Sequence, residues 1–79
     1  MKVLFFAQCR LIAGEENYVL KTDKALTQHE FWSLLIGDFP GLASQQTTAR
    51  LARRETYLQS DELLHPDDEI AIIPPVSGG

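Results

Sequence analysis

The sequence predicts an α+β domain, a mixed sheet of four to five strands packed on one main helix, and three observations carry that prediction. Two strongly apolar runs stand at opposite ends of the chain, Val3-Leu4-Phe5-Phe6-Ala7 and Ile70-Ala71-Ile72-Ile73. One helix-start signature lies between them, from Thr27 to Glu30. The remaining strand-like runs are short and divided by turn residues, as in a small sheet rather than a bundle.

Lys2 to Arg10 reads as a first strand, aromatic and aliphatic enough to be covered on both faces or nearly so. Val3, Phe5, Ala7 and Cys9 fall on one face of it. Lys2, Leu4, Phe6, Gln8 and Arg10 fall on the other, which mixes apolar with charged groups and meets solvent at its ends. Gly14, followed by Glu15-Glu16-Asn17, is a turn signal that reverses the chain into Tyr18-Val19-Leu20-Lys21, giving an N-terminal hairpin.

Thr27 is placed as an N-cap, Glu30 as its capping-box partner three residues on, and Leu26 with Phe31 as the hydrophobic staple. Phe31, Leu34 and Leu35 share one helical face, and the helix runs from Gln28 to about Ile36, with Gly37 in the left-handed closing position. Asp38-Phe39-Pro40-Gly41 is a turn, and Leu42 to Thr48 a short helical turn followed by loop. Ala49 to Arg54 is a third strand with Leu51 inward; Arg50, Arg53 and Arg54 make it an edge or surface element. Tyr57-Leu58 is a short strand. Ser60 to Glu69 is a loop in which Leu63 and Leu64 plug the core while the acids stay wet, and Ile70 to Ile73 is a buried strand. This order is that of a β-grasp, with the first and last strands side by side and parallel at the centre. Residues 1–73 form the domain and 74–79 an extended tail.

Seventy-nine residues allow one domain with one sheet and one or two helices. Apolar residues at 44% and charged ones at 23% place it with globular domains and against disorder. Seven basic and eleven acidic side chains leave a net charge of −4, which repels phosphate backbones, argues against nucleic acid and suits a basic protein partner. A single cysteine, Cys9, permits no internal disulfide and points to the reducing cytosol. The apolar run at the N-terminus is too brief for a signal segment, and no run reaches membrane-spanning length.

The tail Pro74-Pro75-Val76-Ser77-Gly78-Gly79 follows the last apolar strand directly. Two prolines fix φ and withhold donors, and two glycines pass where side chains cannot, so the segment has the make-up of an arm that enters a narrow slot. A frayed end has the same composition.

Phe5-Phe6-Ala7-Gln8-Cys9-Arg10, Asp68-Glu69-Ile70-Ala71-Ile72-Ile73 and Pro74-Pro75-Val76-Ser77-Gly78-Gly79 together resemble the small, sulfur-carrying subunits of molybdopterin synthase, which are ubiquitin-like. The resemblance spans the chain in length and element order, specifically at both ends and only in spacing from Phe39 to Thr56. It implies that Gly79 is adenylated with ATP by an E1-like activating enzyme and converted to a thiocarboxylate, with a sulfurtransferase as the sulfur source. It implies a large-subunit partner, in a heterotetramer of two small and two large subunits, whose active site receives Pro74, Pro75, Val76, Ser77 and Gly78. There the sulfur passes to a cyclic pyranopterin precursor to build the molybdopterin dithiolene. The family's contact surface carries over to Phe6, Tyr57 and Ile73, with Arg10 beside it. Arg53-Arg54 departs from the family's usual Val-Asn, and Asp67 stands where a glycine usually precedes the Asp-Glu pair. The same resemblance leaves a carrier for thiamine thiazole synthesis or tRNA thiolation, a modifier ending in an isopeptide bond, or a plain ubiquitin-like binding module as other readings.

The chain offers no catalytic constellation of its own. Cys9 has only Arg10 nearby to lower its pKa and reads as an apolar packing residue. His29 and His65 lack partners at metal-ligand spacing, so no metal and no bound cofactor are expected. Asp67-Asp68-Glu69 lacks the spacing of a calcium loop, and no pocket-forming sequence accompanies Asp61 and Glu62.

Overall fold

In the computed structural model, which describes residues 1–75, the sheet is organised around the last strand. Among the described residues five strands form one sheet: β1 (Lys2–Phe5), β2 (Asn17–Val19), β3 (Arg50–Arg53), β4 (Thr56–Tyr57) and β5 (Glu69–Ile73). Their order is β2-β1-β5-β3-β4. β1 and β5 are parallel neighbours, Val3 opposite Ile70 and Phe5 opposite Ile72, as the two apolar runs predict. β2 pairs antiparallel with β1, β3 with β5, and β4 with β3. The β-grasp architecture is therefore present, with β5 hydrogen-bonded on both sides.

One face of this sheet is covered. Val3 and Phe5 of β1, Leu51 of β3 and Ile70 and Ile72 of β5 are buried in a cluster with Phe31, Trp32 and Leu35 of helix α2 (Gln28–Asp38). Cys9 of helix α1 (Ala7–Ala13) and Leu42 of the 3₁₀ segment Pro40–Gln45 belong to it, as do Met1, Leu20, Leu26 and Leu64. Each large side chain wholly removed from water there contributes about 1.5–3 kcal/mol of transfer free energy. Phe39 closes the cluster at the end of α2, edge-on to Phe5 at 5.4 Å and to Tyr18 at 4.9 Å between ring centroids. Thr27 caps α2 as expected: its Oγ1 accepts from the Glu30 N–H at 3.1 Å, and Glu30 Oε1 accepts from the Thr27 N–H at 2.9 Å.

Six expectations are corrected. The first strand stops at Phe5, and residues 7–13 form α1; Ala7, at φ 49°, turns the chain out of the sheet. Cys9 is buried, as strand parity predicts, but from a helix. Gly14, at φ 75°, is the left-handed cap of α1 rather than a hairpin turn, so β1 and β2 are joined through a helix. Gly37 lies inside α2, which continues to Asp38, where the Tyr18 hydroxyl donates to Oδ2.

β3 is not an edge: it lies between β5 and β4, and Leu51 and Ala52 are both buried. Arg53 on its inner face is neutralised by Asp68 at 2.8 Å and Glu62 at 3.1 Å. The loop before β5 inserts Leu64 but leaves Leu63 at 44% exposure, and Asp68 is an ion-pair partner rather than a solvated charge. Asp67 does not take a positive φ, so no glycine is needed there.

Candidate functional site

The uncovered face of the sheet can be laid out from register alone. Successive residues of a strand point to opposite sides, so the neighbours of the buried positions line the open face. One row crosses every strand: Asn17, Leu4, Ala71, Ala52 and Tyr57. Its centre is small and apolar, and it ends in Tyr57 at 45% exposure. The next row toward the tail brings Ile73 beside Arg50.

Phe6 continues the alternation of β1, with φ −126° and ψ 151°, and stands next to this row, 47% exposed. The positive φ of Ala7 then lifts α1 away over the covered side. Phe6 and Ile73 share an open groove of about 730 Å³, lined also by Ala7, Gln8, Gln45, Thr48, Pro74 and Pro75. Pro74 is buried in the molecule and Pro75 is exposed. β5 thus delivers the chain from the centre of the sheet into this groove. Val76, Ser77, Gly78 and Gly79 lie outside the described residues.

Of the predicted contact residues, Phe6, Ile73 and Tyr57 are on one face. Arg10 is not among them. It sits in α1, bound to Glu16 with Nη2 to Oε1 at 2.6 Å, and borders a different depression with Leu11 and Gly14. The strand parity that would allow the family's placement of Arg10 beside Phe6 ends where Ala7 opens α1. Arg50, which sequence reasoning assigned only to an edge, belongs to the face instead: its guanidinium carbon lies 4.1 Å above the centre of the Tyr57 ring. The signal was present in the alternation from Leu51, which sends residue 50 outward.

The Cys9 thiol is wholly buried, and desolvation raises its pKa, which disfavours the thiolate. Asp68 moves the other way. Burial alone would raise it, but the His65 N–H and the Arg53 guanidinium together outweigh that and lower it. Among the described residues no three His, Cys, Asp or Glu side chains are grouped to hold a metal ion, and no helix is long and apolar enough to cross a membrane.

Comparison with known proteins bears on the family and the fold. A curated molybdopterin synthase sulfur carrier subunit from Arabidopsis thaliana is 35% identical over 79 residues, covering all of this chain and 82% of the relative. Those from Homo sapiens and Drosophila melanogaster are 34% and 39% identical, covering 100% and 98% of this chain and 93% and 88% of theirs. Among solved structures, SAMP1 from Haloferax volcanii superposes with a TM-score of 0.82 at 26% identity, covering 100% of this chain and 98% of that one. A chain from the complex of subunits 1 and 2 of molybdopterin-converting factor from Helicobacter pylori superposes at 0.66 and 24% identity, covering 99% and 96%. The ThiS family model matches residues 3–79, and the chain therefore belongs to the ThiS family.

Proposed function

We propose that this chain is the sulfur carrier subunit of a molybdopterin synthase. What supports this above all is the full-length similarity to curated subunits of that name, at 34–39% identity. The geometry is consistent with it: the tail starts from the central strand of the sheet, beside an exposed apolar surface.

The chemistry begins at the Gly79 carboxylate. A carboxylate is a poor electrophile, so one oxygen must first become a leaving group. Attack on the α-phosphorus of ATP forms an acyl-adenylate and releases pyrophosphate. The outer sulfur of a persulfide on a sulfurtransferase then adds to the acyl carbon and AMP departs with the former carboxylate oxygen; a thiol reductant cleaves the resulting acyl disulfide, leaving a thiocarboxylate. A glycine at this position leaves the mixed anhydride unhindered. The large subunit receives the tail; the Helicobacter pylori structure, by its description, is a complex of subunits 1 and 2 of molybdopterin-converting factor. Phe6, Tyr57 and Ile73 form the docking surface, Pro74 to Gly78 thread the partner, and two charged carriers supply the two sulfurs of one dithiolene.

Intact mass of the protein isolated with its native activating system tests the reading. The expected species is heavier by one oxygen-to-sulfur exchange at Gly79; its absence during active cofactor synthesis would sink the proposal. Removal of Gly79 is expected to leave a folded domain that transfers no sulfur.

A second reading rests on the two solved small archaeal modifier proteins, 26% identical to this chain. A modifier would join its terminal carboxylate to a lysine amine. Covalent conjugates surviving denaturation would favour it over the carrier.

A further inference from the structure

On the open face of the sheet, the end away from the tail carries an ion pair, Lys2 Nζ to Glu69 Oε2 at 3.7 Å. The end nearest the tail carries an exposed cation, Arg50, with no carboxylate within ion-pair distance among the described residues. Tyr57 covers one face of its guanidinium, at 4.1 Å, and Ile73 is its cross-strand neighbour. Stacking occupies the face of a guanidinium and leaves its in-plane N–H fork free, the geometry that takes a carboxylate through two parallel hydrogen bonds.

We infer that Arg50 receives an Asp or Glu side chain of the partner protein, seated beside the apolar contacts of Phe6, Tyr57 and Ile73. This rests on the reading that the open face docks a partner. The overall charge of −4 favours a partner surface that is basic around its apolar centre. A single carboxylate beside the apolar contacts of such a surface would meet Arg50. It would therefore fix the register in which the tail enters, and a surface with a lysine at that point would be rejected.

Titration calorimetry with the purified cognate large subunit tests this, using Arg50→Gln, Arg50→Lys and Ile73→Asp, each checked for folding by circular dichroism. The expected result for Arg50→Gln is a loss of affinity of about 10- to 30-fold at low salt, as for removal of one partner of an interfacial charge pair. The loss should shrink in about 0.5 M salt, which screens the pair. Arg50→Lys should recover only part of it, since an ammonium keeps the charge without the fork. Unchanged affinity for Arg50→Gln while Ile73→Asp abolishes binding would overturn the Arg50 assignment and keep the docking face. Unchanged affinity for both would overturn the docking face as well. A loss unaffected by salt would assign Arg50 to packing only. A loss that disappears when the Gly79 carboxylate is amidated would mean that Arg50 serves the chain's own terminus, which also overturns the inference.

Discussion

Arg53 and Asp68, fifteen residues apart, are joined by a 2.8 Å hydrogen bond from Nη1 to Oδ2. The same guanidinium donates to the Leu63 carbonyl and to Glu62, each at 3.1 Å, while Asp68 also accepts from the His65 N–H at 2.8 Å. One side chain thus ties the end of β3 to the loop that leads into β5. Arg53→Gln keeps much of the aliphatic stem but loses the fork. We expect it to lower stability by about 1–2 kcal/mol, the range of a partly exposed charged hydrogen-bond network, measured by urea unfolding. An unchanged midpoint would show that solvent replaces these bonds without loss.

Acid should act on the same network. The Asp68 and Glu30 carboxyls are both held below their ordinary values, Asp68 by the His65 N–H and Arg53 against its own burial, Glu30 first by the Thr27 N–H. A carboxyl whose pKa is lower folded than unfolded contributes stability that is present above the unfolded value and is lost as pH falls through the folded one. Stability should therefore decline from about pH 4 downward. The decline should be shallower in Arg53→Gln, because Asp68 then has less to lose. Unfolding midpoints at a series of pH values check both statements; an equal slope in the two proteins would detach Asp68 from the effect.

The turn between β3 and β4 offers the opposite experiment. Arg53 pairs with Thr56, so Arg54 and Glu55 form a two-residue loop, at φ 53° and φ 65°. Positive φ at both positions is the type I′ geometry that Asn-Gly satisfies without strain. Arg54→Asn with Glu55→Gly should stabilise the domain by about 1 kcal/mol, a few degrees in midpoint by thermal unfolding. Destabilisation would show that the two native side chains hold contacts worth more than the backbone strain.

Where a signal is complete within a few residues, the sequence disclosed it. The Thr27–Glu30 box needs only its own turn, and the isoleucine run of β5 suits nothing but a covered strand. The parallel pairing of β1 and β5 followed from their matched apolar character. What escaped was decided by residues far away. Cys9 is buried whether residue 7 continues a strand or opens a helix, so the apolar pattern could not locate the break at Phe6. Arg53 looked like a surface residue because its partners, Glu62 and Asp68, belong to a different loop. Gly37 is an adequate helix stop, but Tyr18 and Phe5, packed around Asp38 and Phe39, carry α2 past it. Of the candidate site, alternation along the strands accounts for Phe6 and Ile73 facing outward, while Tyr57 rests on the family resemblance. Arg10 rests on the same resemblance but stands on a helix, and the stacking of Arg50 on Tyr57 joins two strands, which local spacing does not reveal.

The central position of β5 has a mechanical consequence. Force applied at Pro74 along the strand is carried by two ladders at once, to β1 on one side and β3 on the other, and their hydrogen bonds lie across the direction of pull. Such a strand is loaded in shear, where many bonds must fail together, rather than peeled one bond at a time from an edge. The domain can therefore stay folded while a pull is applied at Pro74.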